Sequence, residues 1–300
     1  MSKIGLIPKV RLMRQIGSAY ESAARSIVAI LRGLNPATYT AGAGSAAMAR
    51  IREIVERLDV RAADWARKSI RAAYQESRGV AVTRLQAIGA ERPKTKKGSG
   101  KRIHEKAITK YIKFTANDYL RANRTILTTA GKYLATLAYA RKRLDSYRDA
   151  EIEAFSSADV RGLIDDVVQR ATASHLTRKA VDSKIYERLL SAIGGGDYIT
   201  INGRSYNLRS YAELVARTRM RDSQTEAVLK MCEEYGTDLV EIPYHDNPCE
   251  FCAEHQGHVF SISGNSDKYP ELPDGGPPFH PNCECTTNPT TELALRWRNR

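Results

Sequence analysis

Residues able to do chemistry collect at one end of this chain. Four of its five cysteines and four of its six histidines fall between His245 and Cys285. Cys249 and Cys252, in "NPCEFC", have the spacing of a chelating pair. Two thiolates three residues apart can reach one metal ion from a tight turn, which Pro248 helps to set. His280, Cys283 and Cys285, in "HPNCEC", supply a second half. In an extended segment Cys283 and Cys285 point to one face and can look back at the first pair, and His280 could replace either. A tetrahedral Zn²⁺ needs four ligands, and Cys249, Cys252, His280, Cys283 and Cys285 offer five. Four thiolate or imidazole ligands leave no position open for water, so the expected site is structural. A disulfide pair, or buried free thiols, are the alternatives. His245, His255 and His258 read as polar surface residues, and Cys232, on a preceding helix, as core packing.

Enzyme chemistry needs more than this segment offers. "PCEFC" matches half of the zinc deaminase signature, but the H-x-E half is missing: His175 is followed by Leu176 and Thr177. No H-E-x-x-H, P-loop, G-x-S-x-G or dinucleotide fingerprint occurs. A metal-dependent nuclease or transferase acting through the Cys/His residues is the competing reading, and no carboxylate or histidine pair stands beside an open ligand set to support it.

Charge divides the chain. The net charge is +13, yet Glu91 to Arg143 alone carries +12, while Cys232 to Cys285 carries −10. Clustered cations gain from counterion release on phosphate. Non-specific DNA binding is therefore expected in the middle of the chain, through Lys94, Lys96, Lys97, Lys101, Arg102, Lys106, Lys110, Lys113, Arg121 and Arg124. The acidic end should meet protein. A solvated helix face with a loose loop is the plainer reading of the same cations.

The elements that must position these residues read as mainly helical, with a small α+β module at the C-terminal end. Val10, Met13, Ile16, Tyr20, Ala24, Ile27 and Leu31 keep helical spacing, and Gly33 and Pro36 end the run. Ile51, Ile54, Val55, Leu58 and Trp65 form a second stripe, continuing to about Ala87. "GAERPKTKKGSGKR", 89–102, reads as a flexible basic loop. A helix is expected from Ile103 to about Leu144, others after Ser157 and over Lys179–Ala192, and a stop at Gly194–Gly196. "DYITINGRSYNL" then predicts a hairpin turning at Asn202-Gly203. A helix over about Ser210–Tyr235 should end at Gly236, and "DLVEIPY" should be a strand leading into a metal-pinned loop. The domains implied are an elongated helical part, 1–195, and an α+β module, 196–300. No run approaches the roughly 18 apolar residues of a membrane span, and the first residues lack a cleavable signal pattern. Synthesis in a cytoplasm is the expectation, which favours metal over disulfide.

The stretch from Tyr198 to Pro289 resembles the phage head morphogenesis proteins, the Mu F-like minor head or minor capsid proteins. The residues that carry the likeness are "YAELVARTRMRDSQTEAVLKMCEEYGTDLVEI", "CEFC", "GHVFSISG", "YPEL" and above all "PPFHPNCEC". Glu284 stands where family members often have Arg, which leaves the ligands intact. The resemblance implies a non-enzymatic virion component in few copies. It implies association with the portal protein, the major capsid protein and the inner head, support of assembly, and contact with DNA in some cases. It implies neither a membrane nor a small-molecule substrate.

Overall fold

The computed structural model describes residues 6–35, 38–91, 99–146, 198–201 and 204–298. The fold is mainly α with a small α+β module near the C-terminal end. Helix α1 is Leu6–Arg32, α2 is Ala41–Ala87 and α3 is Ser99–Ser146. Strands β1, Tyr198–Ile201, and β2, Arg204–Asn207, pair antiparallel with Ile201 opposite Arg204. Helix α4 is Leu208–Tyr235 and β3 is Leu239–Glu241. The short α5, Glu250–Ala253, precedes β4, Val259–Ser261; β5 is Asn288–Thr290 and α6 is Glu292–Arg298. Strand β3 lies between β4 and β5, antiparallel to both.

Most expected elements are present, with edges moved. Helix α3 begins at Ser99, so residues 99–102 are its first turn and not the end of a loop. Once residues 103 onward are helical, extending the helix one turn backward costs no new nucleation. Residues 92–98, the helices expected after Ser157 and over 179–192, the Gly194–Gly196 joint and the Asn202-Gly203 turn lie outside the described residues. The end of α4 follows a rule legible in the sequence. Gly236, at φ 65°, donates to Glu233 O, and Thr237 N donates to Cys232 O. That is the paired hydrogen bonding with which a left-handed glycine closes a helix. At the other end Asn207 Oδ1 accepts from Arg209 N and Ser210 N at 3.0 and 3.3 Å, an N-cap.

The chain forms two compact units, each discontinuous in sequence. One comprises residues 17–61 and 119–211. In it Tyr20, Ile51, Val55, Leu58, Tyr119, Ile126 and Leu137 are buried, as the helical stripes require. Asn123 Nδ2 donates to Asp59 Oδ1 at 2.6 Å across that core. The other comprises residues 1–16, 62–118 and 212–300, and holds the Cys/His segment. Its core joins Ala81 and Leu85 of α2, Val228, Met231, Cys232 and Tyr235 of α4, Val240, Ile242, Phe260 and Leu272, and three of the four clustered cysteines. Cys232 is fully buried there, and burial pushes its thiol up to about 12. It packs as a small apolar residue.

Several polar groups in this unit are paired, some of them between helices. Tyr74 OH lies 2.7 Å from His104 Nδ1, and His104 Nε2 lies 2.9 Å from Glu234 Oε1. Arg219 binds Asp118 at 2.7 Å and Asp222 at 2.8 Å. These links tie α4, which ends close to the Cys/His residues, to α3.

Candidate metal centre

Two local structures present the ligands. Cys249 caps α5: its Sγ accepts from Cys252 N at 3.4 Å, so the helical turn that follows carries Cys252 back toward Cys249. His280 to Cys283 is a tight turn. Cys283 N donates to His280 O at 3.0 Å, with Pro281 second and Asn282, at φ 67°, third. Proline then a left-handed asparagine is the type II arrangement, and it explains "HPNC" as a sequence. Arg217 of α4 donates to Asn282 Oδ1 and holds the turn in place. Past the turn the chain runs without regular structure to β5, and Cys283 and Cys285 are both buried.

The five predicted ligands converge. Cys249 Sγ and Cys252 Sγ lie 3.2 and 3.1 Å from His280 Nε2, and Cys252 Sγ lies 3.7 Å from Cys283 Sγ. Cys249, Cys252 and His280 form one group able to hold a metal ion, and Cys252, Cys283 and Cys285 another, with Cys252 common to both. Around a tetrahedral Zn²⁺ with its usual bond lengths, two sulfurs stand about 3.8 Å apart and a sulfur and a nitrogen about 3.5 Å. The Cys252–Cys283 spacing matches the first value, and His280 sits somewhat closer than the second. All five cysteines are free thiols, and 3.7 Å is far beyond the roughly 2.05 Å of a disulfide.

Protonation favours a cation here. His280 Nδ1 lies 2.9 Å from Pro281 O. A carbonyl only accepts, so Nδ1 carries the proton and the Nε2 lone pair faces the thiols. Such an orienting bond is what a metal-binding histidine requires. The Cys252 N–H and thiol, then His280, hold Cys249 below the ordinary thiol range. Burial pushes Cys252 and Cys285 up, and neighbouring thiols oppose further negative charge. A bound cation would compensate the charge of the buried Cys252 and Cys285 sulfurs.

The sequence reading missed His245. Its Nε2 lies 3.4 Å from Cys285 Sγ, and its Nδ1 lies 3.0 Å from Asp246 O. It joins the cluster's edge and is not merely a polar surface residue. Position alone hides this, because β3 and the turn at Asp246–Asn247 are what carry it beside Cys285. His255 packs between Phe251 and Phe279, ring centroids 4.8 and 4.9 Å away, and shields one side of the site. The loop between the ligand pairs is folded: β4 pairs with β3, Leu272 is buried, and Gly257, at φ 76°, lies where a Cβ would strike the Tyr244 ring.

The proposed DNA-binding residues are dispersed by comparison. Lys94, Lys96 and Lys97 lie outside the described residues. Lys101, Arg102, Lys106, Lys110 and Lys113 are exposed along the first half of α3, the last four of them within one sector of the helix. Lys110 Nζ stands 5.2 and 5.8 Å from the ring centroids of Tyr111 and Phe114. Arg121 and Arg124 are exposed farther along α3, in the other unit.

In comparison with known proteins, residues 51–271 match the family described as phage minor capsid protein 2. No curated protein and no solved structure matches. The match corrects one expectation. The likeness is not confined to the last third, because it takes in α3 and most of α2 as well. It includes Cys249 and Cys252 and stops before His280.

Proposed function

Because the chain belongs to the phage minor capsid protein 2 family, and is thereby a virion protein, we propose that it serves as a non-enzymatic, low-copy component of the inner head near the portal. The family match carries this reading, since it spans well over half of the chain. In this role the acidic segment from Cys232 to Cys285 meets protein, the portal or the major capsid protein, because its charge of −10 repels packaged DNA. The basic first half of α3 meets DNA through phosphates and without regard to sequence.

The Cys/His centre holds one structural Zn²⁺. The donor set supports this: soft thiolates with one oriented imidazole suit zinc, and more donors than four leave no place for a reacting water. Cys249 and Cys252 with two of His280, Cys283 and Cys285 are the ligands, and Cys285 also lies beside His245. The ion ties α5 to the turn at His280 and so closes the loop of 27 residues between Cys252 and His280. A cryo-EM map of the intact particle tests the placement. Density for this chain only on the outer capsid surface would refute it.

A further inference from the structure

A second site lies beside the metal centre, in the same unit. Glu76, Ser77, Val80 and Arg84 form one face of α2, and Arg221, Gln224, Thr225 and Val228 one face of α4. With residues Cys285–Asn288 they line a cleft of about 200 Å³. Two residues of its wall carry a buried donor with no partner among the described residues: Gln224 Nε2 and the Thr287 hydroxyl, on residues 7% and 6% exposed. A buried polar group left without a hydrogen bond costs about 1–3 kcal/mol, so two in one small cleft call for a ligand with acceptors. Arg221 makes no ion pair among the described residues. The Arg84 guanidinium is pushed down from its ordinary range by burial, with Glu241 opposing. Glu76 is the one carboxylate in the wall, so the lining carries net positive charge.

We propose that this cleft is an oxyanion site, taking one carboxylate or phosphate group between Arg221, the Gln224 amide and the Thr287 hydroxyl, with Arg84 at its edge. Its volume is below the roughly 300 Å³ at which pockets for drug-sized ligands begin. It suits a single ionised group, and Val80 and Val228 supply apolar wall for the carbon that would carry it. An acceptor with several lone pairs satisfies both orphan donors and an arginine at once, which a neutral ligand of that size does not.

The test is thermal unfolding of the full-length protein with its metal, titrated separately with inorganic phosphate and with acetate, against chloride at matched ionic strength. A ligand of the native state raises Tm in a saturable way. The expected result is a saturable rise with at least one oxyanion, and an apparent Kd at least tenfold weaker in Arg221→Gln and Thr287→Val. A response to acetate alone assigns the site to carboxylates, and to phosphate alone to phosphates. Val80→Glu, which places a tethered carboxylate at the wall, should unfold at higher temperature and lose the response, and it serves if Arg221→Gln does not fold. No saturable response to either anion, or an undiminished response in folded Thr287→Val and Val80→Glu, overturns the proposal.

Discussion

His245 Nε2 lies 3.4 Å from Cys285 Sγ, with 40 residues of chain between them. The contact adds a sixth side chain to the edge of the cluster. Cys285 meets His245 and also shares a ligand group with Cys252 and Cys283, while His280 shares one with Cys249 and Cys252.

One Zn²⁺ per chain is therefore expected in protein purified without added metal. Cys249→Ser and Cys252→Ser should each lose most of it, whereas His245→Gln should keep it. Elemental analysis of the purified variants is the measurement. A wild-type Zn:protein ratio near zero, with two disulfides by mass, would sink the assignment.

The two kinds of cysteine should separate in stability and reactivity. Metal-binding energy acts here as folding energy, so Cys252→Ser should abolish the cooperative unfolding of the C-terminal module. Cys232→Ala removes one buried atom from a packed core and should cost about 1 kcal/mol while retaining metal. The thiolate is the reactive form, and the Cys232 thiol is pushed up to about 12. Without chelator or denaturant at pH 8, iodoacetamide should leave Cys232 unlabelled, and it should react only once the module unfolds. Early labelling of Cys232 would contradict its placement in the core.

Asp238 should contribute to acid sensitivity. Burial raises its pKa, but the Ser261 hydroxyl and the Ser263 N–H and hydroxyl outweigh that, and the net shift is downward. A carboxylate depressed in the folded state stabilises above its unfolded value, about 3.9, and that contribution disappears as pH falls through the folded value. Asp238→Asn should cost about 1 kcal/mol at neutral pH and flatten the loss of stability below pH ~4. Acid titrations of wild type and variant in urea would show it. Parallel curves would mean that the carboxylate does not tie β3 to the end of β4 in solution.

DNA binding should fall steeply with salt and should not depend on sequence. Replacing Lys106, Lys110 and Lys113 by Gln should lower the slope of log K against log salt by roughly 1 for each lysine that contacts phosphate. Fluorescence anisotropy with two unrelated duplexes measures this. An unchanged slope would move the DNA contact away from α3.

Much of this protein could be read from its residues in order. Helical stripes such as Ile51, Val55 and Leu58 announce themselves, because a period of 3.6 residues is a local property. Gly236 as the end of α4 is equally local, and so is the hairpin pairing of β1 with β2. The clustering of Cys249, Cys252, His280, Cys283 and Cys285 was legible for the same reason: Cys-x-x-Cys and Cys-x-Cys are short-range chelating geometries, whatever surrounds them. The tertiary structure decided which distant groups meet these local ones. Only the fold brings His245 to Cys285, places His255 between two phenylalanines, and lays α2, α4 and residues 285–288 together so that Gln224 and Thr287 share a cleft with Arg221. Such meetings depend on how buried faces pack across long loops, and loop length costs so little entropy that spacing in the sequence carries almost no record of them.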